Sequence, residues 1–303
     1  MRNWMPQAAQ LAAALVLSPL AFGIINRTKA IFAGRRGQPL LQPYFDIAKL
    51  LGKGAVYSGT AGWILRAGPV VGLACAVTAL AALPWAGSPA LLSFQGDLIL
   101  VAYLFGLMRF FTVIAALDTG SAFEGMGASR EAWLGALAEP ALLLGLASIA
   151  RTQASSSLAE ILTRGVQGAA SLPSLILSAA AAFIVFLCEN ARMPIDDPNT
   201  HLELTMIHEV MVLDHCGVDL AFIQYGSAVK LWVFGGIVTG MLLPRTGRFL
   251  EDAGLSLAAM LALCVATGIV ESTMARLRMN RVPQLLVAAI AMSALAFILV
   301  LVG

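Results

Sequence analysis

The sequence predicts an all-α fold, a polytopic membrane helix bundle with about eight transmembrane helices, and three observations predict it. Of its 303 residues, 59% are hydrophobic and only 12% are charged, and mean hydropathy is +0.84, a balance soluble domains seldom reach. Ala-, Leu- and Gly-rich runs recur that are long enough to cross about 30 Å of hydrocarbon, where a helix satisfies its own backbone. Basic residues also concentrate in alternate connections, as the positive-inside rule describes.

The spans fall near 7–26, 63–84, 96–117, 133–150, 172–190, 218–243, 253–272 and 283–302, in a single integral membrane domain over 1–303. The first, with Pro19 and small residues after an apolar run, reads as a retained helix rather than a cleaved leader, because seven more spans follow. The second ends before a connection, 85–95, that carries no charge and suits a short outer turn. The third carries Asp97 and Arg109 and closes at Asp118, the fourth carries Glu139-Pro140, and the fifth ends at Glu189. Lys230 sits in the sixth and Glu271 closes the seventh. Arg109 and Lys230 have apolar residues on both sides, too deep to snorkel, so both are expected to face the bundle interior. Glu139 is placed to meet Glu189 or Asp118 across the bundle.

The four odd connections hold eleven basic residues: Arg27, Lys29, Arg35, Arg36, Lys49, Lys53, Arg130, Arg192, Arg276, Arg278 and Arg281. The N-terminus and even connections hold five, Arg2, Arg151, Arg164, Arg245 and Arg248. This asymmetry places the odd loops in the cytoplasm and both termini on the outer face. Within the first connection, 27–62, Leu40, Leu41, Tyr44, Ile47, Ala48 and Leu51 share one helical face while Asp46, Lys49 and Lys53 lie elsewhere. That is an amphipathic helix for a membrane surface or the underside of a partner protein; a plain basic anchor to anionic lipid is the simpler alternative.

The acidic segment 189–217 and its flanks are the densest chemistry in the chain. Cys188–Asp219 holds seven acids, Glu189, Asp196, Asp197, Glu203, Glu209, Asp214 and Asp219, and all three histidines, with Arg192 as its one basic residue. Acid beside a bilayer is costly and marks function. Arg192, three positions after Glu189, is expected to pair with it if the helix continues. Pro194 then limits the helix, and Asp197 suits a new helix start before His201. Over about 199–217 the segment reads as helical and polar, with His201, His208 and His215 on one face. Seven residues rise about 10.5 Å on a helix, whereas a zinc ion needs each ligand nitrogen at about 2 Å, so one ion cannot touch all three. His215 with Asp219 at i+4 is a candidate proton relay, and a solvated cytoplasmic surface is the plain alternative for the whole segment.

Other classes find little support. The cysteines Cys75, Cys188, Cys216 and Cys264 are isolated, without the CxxC of zinc or iron–sulfur sites. No GxGxxG or GKS/T occurs, and no nucleic-acid recognition fold accompanies the short basic patches.

Four pieces, GQPLLQPYFDIAKLLGK (37–53), LDTGSAFEGMGASREAWLGALAEP (117–140), ENARMPIDDPNTHLELTMIHE (189–209) and ESTMARLRMNRVPQLL (271–286), carry a family resemblance. In these pieces and their order the chain resembles the membrane subunit shared by respiratory complex I, its subunit 1, and the membrane-bound nickel–iron hydrogenases of the formate hydrogenlyase and hydrogenase-4 kind. The resemblance implies eight helices, outer termini, and cytoplasmic loops under a hydrophilic arm. It implies no cofactor or redox centre in this chain. Iron–sulfur clusters and a nickel–iron site are expected in partners: hydrogenase-like large and small subunits, a ferredoxin-like iron–sulfur subunit and antiporter-like membrane subunits that move H⁺ or Na⁺. Glu189, Asp196 and Glu203 match the family's acidic loop. With Arg192, Asp197, Glu209, Asp214, Asp219, Asp118, Glu124 and Glu139 they form the expected proton path. Arg35, Arg36, Asp46, Lys49, Arg276, Arg278 and Arg281 are the expected docking residues. In the quinone branch a glutamate follows the second proline, where this chain has Asn199. That departure and the DTGSAFEGMGASRE piece favour the hydrogenase branch over a quinone-binding subunit of an NADH or ferredoxin:quinone oxidoreductase; a purely structural anchor is the third reading.

Overall fold

A computed structural model describes residues 5–59, 61–164, 172–196 and 206–302. Ten α-helices are described: α1 Met5–Phe32, α2 Gln42–Leu51, α3 Trp63–Ala81, α4 Asp97–Asp118, α5 Ala122–Gln153, α6 Leu158–Arg164, α7 Leu172–Glu189, α8 Gly217–Leu242, α9 Phe249–Thr273 and α10 Val282–Val302. No β-strand occurs among the described residues; a lone bridge joins Trp85 and Ser88. Eight of the helices, all but α2 and α6, are long and apolar enough to cross a membrane. The core runs along their shared axis through Phe105, Leu134, Phe186, Leu231, Phe234 and Ile237, with the Phe105 and Phe234 ring centroids 4.8 Å apart. α3 packs on α4 and α8, α10 on α5 and α7, and α1 on α9.

Each expected span corresponds to a helix, with one large shift at a boundary. The fourth was expected to begin at 133, but α5 begins at Ala122. Residues 122–132 carry Gly125, Gly127, Ser129 and Arg130 and lack an apolar run, so hydropathy does not mark them. Packing holds them helical instead. A Cβ on Gly127 would stand 2.3 Å from Val210 Cγ1 and 2.9 Å from the Ile207 carbonyl oxygen, so this turn of α5 seats the 206–212 backbone. Arg130 consequently lies within α5 rather than in a loop.

Over 206–216 the expected polar helix of 199–217 is corrected. His201, Asp197 and Glu203 lie outside the described residues, and from 206 to 216 the only regular element is a single 3₁₀ turn, Glu209–Val212. The reason is local competition for the backbone: Asp196 Oδ2 accepts the N–H groups of Ile207, at 3.2 Å, and His208, at 3.0 Å. Those donors are capped by a side chain instead of feeding a helical ladder. The shared helical face of His208 and His215 therefore does not exist.

In the first connection, α1 continues to Phe32, and α2 lies against α1 and α8. Tyr44 donates its hydroxyl to the Val16 carbonyl, and Ile47 is half-buried, while Leu41, Phe45 and Leu51 stay exposed. At the opposite end of the bundle α6 is buried, its start capped by Asp97, which accepts the Leu158 N–H at 2.5 Å and the Ser157 hydroxyl at 3.2 Å.

Candidate functional site

The charged side chains deepest in the spans converge on Arg109. Its Nε lies 3.1 Å from Glu131 Oε1, Nη1 bonds Glu139 and Nη2 bonds Glu189. Lys230 Nζ, from α8, stands 2.7 Å from the other oxygen of Glu189. α4, α5, α7 and α8 thus each contribute to one cluster, buried but for the half-exposed Glu139. Room for the guanidinium comes from Gly135, where a Cβ would lie 2.6 Å from its atoms.

From this cluster a chain of contacts runs to the connection side. Glu131 Oε2 lies 3.1 Å from His208 Nε2, and His208 Nδ1 lies 3.3 Å from Asp196 Oδ2. Asp196 Oδ1 is held at 2.8 Å by Arg276, from the connection between α9 and α10. Burial works against the His208 imidazolium, but the carboxylates of Glu131 and Asp196 outweigh it and hold the pKa above its ordinary value. For Asp196, burial raises the carboxyl, yet His208 and Arg276 together draw it below the usual aspartate range.

A linkage follows from these directions. His208, raised in the folded state, contributes its full stabilisation below about pH 6.5, the unfolded value, and loses it as pH rises through the higher folded pKa. Asp196, lowered, loses its contribution only as pH falls through a value under about 3.9. Hydrogen exchange of the 207–212 amides is therefore expected to accelerate as pH rises past the His208 transition, beyond the intrinsic pH dependence of exchange. His208→Gln should abolish that extra step; a step that survives the substitution would contradict the assignment.

A second cluster joins α1, α9 and the turn after α7. Glu271 lies 2.8 Å from Lys29 and 3.2 Å from Arg192, and the Arg192 guanidinium sits 4.7 Å above the Phe22 ring. The expected Glu189–Arg192 pair is corrected here. α7 ends at Glu189, Ala191 takes a left-handed φ of 51°, and the chain turns Arg192 towards α9, leaving Glu189 to Arg109 and Lys230.

Between the two clusters is a cavity of about 370 Å³. Arg109, Glu131, Glu189, His208 and Lys230 form its charged wall, and Phe22, Ile47, Met108 and Met211 its apolar one, with Asp46, Arg192 and Glu209 also lining it.

The remaining expected path residues lie apart from this chain. Asp118 caps α3, accepting the Gly62 N–H at 2.7 Å. Glu124 is fully buried and accepts the Asp214 N–H at 3.1 Å, while the side chains of Asp214 and Glu209 are exposed. His215 and Asp219 are buried near each other; burial holds the His215 pKa below its ordinary value although Asp219 and Asp214 oppose it, and the Tyr57 hydroxyl bonds Asp219. Of the expected docking residues, Arg35, Arg36, Asp46, Lys49, Arg278 and Arg281 are exposed and Arg276 is drawn inward to Asp196. Cys75, Cys188 and Cys264 are buried. Among the described residues no group of three or more His, Cys, Asp or Glu is arranged to hold a metal ion.

Sequence reasoning missed Glu131 altogether and did not group Arg109, Lys230 and Glu271 with the site. The missing signal was the true start of α5, which turns Glu131 from a loop acid into a span acid eight residues from Glu139.

Comparison with known proteins follows the same lines. The NADH dehydrogenase family model matches residues 7–302. Formate hydrogenlyase subunit 4 of Escherichia coli (strain K12) is 35% identical over 302 residues, covering 95% of this chain and 96% of the relative. Hydrogenase-4 component C of the same organism is 32% identical over 306 residues, covering 97% and 95%. A chain in the structure of the membrane-bound sulfane sulfur reductase, an archaeal respiratory membrane complex, superposes with a TM-score of 0.85 over 98% of this chain and 99% of that one; at 21% identity the likeness is one of fold.

Proposed function

Because this multi-pass membrane chain belongs to the NADH dehydrogenase family and has two hydrogenase-type subunits as relatives, we propose that it is the membrane subunit of a multisubunit hydrogenase. In this reading it anchors an iron–sulfur/nickel–iron arm at the bacterial or archaeal inner membrane and couples the arm's electron transfer to translocation of H⁺ or Na⁺. The basic connections face the cytoplasm and both termini lie outside. The observation that carries the coupling role is the contact chain from Arg276 through Asp196, His208 and Glu131 to Arg109, Glu189 and Lys230. It joins the loop side of the bundle to the middle of the spans without leaving protein. Charge at one end acts on the next group at contact distance in a low dielectric, where it is far stronger than in water. A carboxylate whose partner changes protonation shifts its own pKa and takes up or releases a proton.

Asp196, His208 and Glu131 transmit the state of the loop to Glu189, which Arg109 and Lys230 hold by ion pairs. Arg35, Arg36, Lys49, Arg278 and Arg281 offer exposed cationic contacts to the arm. Purification of the tagged chain from native membranes should bring down a nickel- and iron-bearing hydrogen-evolving complex; recovery of a quinone-reducing complex without hydrogenase activity would overturn the reading.

The cavity supports a second reading, in which its apolar wall takes a quinone headgroup opposite the charged one. Bound quinone in the purified complex, or loss of activity with quinone-site inhibitors, would decide for it.

A further inference from the structure

We propose that the α4–α5 face around Glu139 is the docking surface for a transmembrane helix of a partner subunit, one that brings a hydrogen-bond donor to that carboxylate. The proposal deepens the hydrogenase reading and rests on it for the existence of membrane partners.

Glu139 lies 17 residues from the start of α5 and 14 from its end, since α5 is Ala122–Gln153. Only the part of α5 from 133 on is apolar, so Glu139 stands six residues, about 9 Å, inside that stretch. That depth exceeds the reach of a glutamate side chain. Yet its side chain is 47% exposed, against 8% for Glu131 and 5% for Glu189 in the same cluster. Among the described residues no other charged side chain that deep inside an apolar stretch is as exposed. Arg109 cannot satisfy it fully, because one guanidinium serves three carboxylates and gives Glu139 a single arm.

The surroundings are apolar and aromatic. Tyr103, Leu107 and Phe110 share one face of α4, and Leu143 stands one turn from Glu139 on α5; all four are exposed, as is Trp133. Acyl chains would cover these residues well but would give the carboxylate no donor beyond the one arm of Arg109, a costly arrangement in a bilayer. Protonating Glu139 would discharge it only by giving up its ion pair with Arg109. A helix that is apolar except for one donor at the level of Glu139 meets both requirements, as polar contacts between membrane helices do.

The test uses the complete complex in native membranes, with the photocrosslinking residue benzoylphenylalanine at Leu107 or Leu143 and adducts mapped by mass spectrometry. Adducts are expected on a transmembrane segment of another subunit, with Lys, Arg, Ser, Thr or Tyr within a turn of the attachment point. Adducts to phospholipid alone, or to a segment without such a donor, would overturn the proposal. In parallel, Glu139→Leu is expected to lower recovery of that subunit several-fold while Glu139→Gln retains it; equal retention in both counts against the role of the carboxylate. Neither readout depends on ion translocation, so failure of the coupling role and failure of the docking surface are distinguishable.

Discussion

Arg109→Leu is expected to be the most damaging single substitution in this chain. It removes the common partner of Glu131, Glu139 and Glu189, of which Glu131 and Glu189 are buried. Breaking a buried pair by deleting one member costs about 3–5 kcal/mol, because the other charge stays in place unpaired. Lys230 can still neutralise Glu189, at 2.7 Å, and Glu131 keeps only His208, at 3.1 Å, so the loss falls on Glu131 and Glu139. The expected result is a sharp drop in assembled complex and in the thermal midpoint of what remains. Glu131→Gln placed in the same chain should recover part of it. Arg109→Lys should recover little, since an ammonium lacks the planar fork that reaches three carboxylates at once. Wild-type stability in Arg109→Leu would contradict the cluster.

Asp196→Ala is the second large effect, and a local one. The carboxylate accepts from Ile207, His208 and Arg276, and charge-assisted hydrogen bonds contribute about 1.5–3 kcal/mol each. Losing them frees the 206–212 segment from its anchor while the spans remain packed. Exchange of the 207–212 amides should rise by roughly 100-fold, the factor that about 3 kcal/mol implies, with little change in the core of α8. Asp196→Asn keeps an acceptor for the two amides and should fall between. A global loss of stability with no local preference would count against this anchoring role.

How far the sequence carried depends on whether the signal was local. Span apolarity is local, and all eight spans were legible from it; so was the interior placement of Arg109 and Lys230, which follows from their apolar neighbours. The start of α5 was not, because Gly125, Gly127 and Ser129 are poor local evidence for a helix that the 206–212 segment stabilises by packing on Gly127. Ion-pair partners were the least legible. Glu189 and Arg192 are near neighbours in the chain, but one left-handed residue, Ala191, separates them, and their true partners lie 80 and 79 residues away. The prominence of Glu189 and Asp196 was visible as acid beside apolar runs, whereas His208 gained its place only from a fold that breaks the regular histidine spacing.

The central claim is that the buried ion-pair chain couples redox chemistry to ion movement. Its most direct test is Glu189→Gln in the assembled complex, with ions translocated per hydrogen evolved measured in sealed vesicles. Glutamine keeps the shape, and its one carbonyl oxygen can still accept from Arg109 or from Lys230, so the complex should assemble and evolve hydrogen. The account predicts that the translocation ratio falls severalfold while hydrogen evolution persists. An unchanged ratio in a fully assembled complex would contradict it and leave the chain a structural anchor.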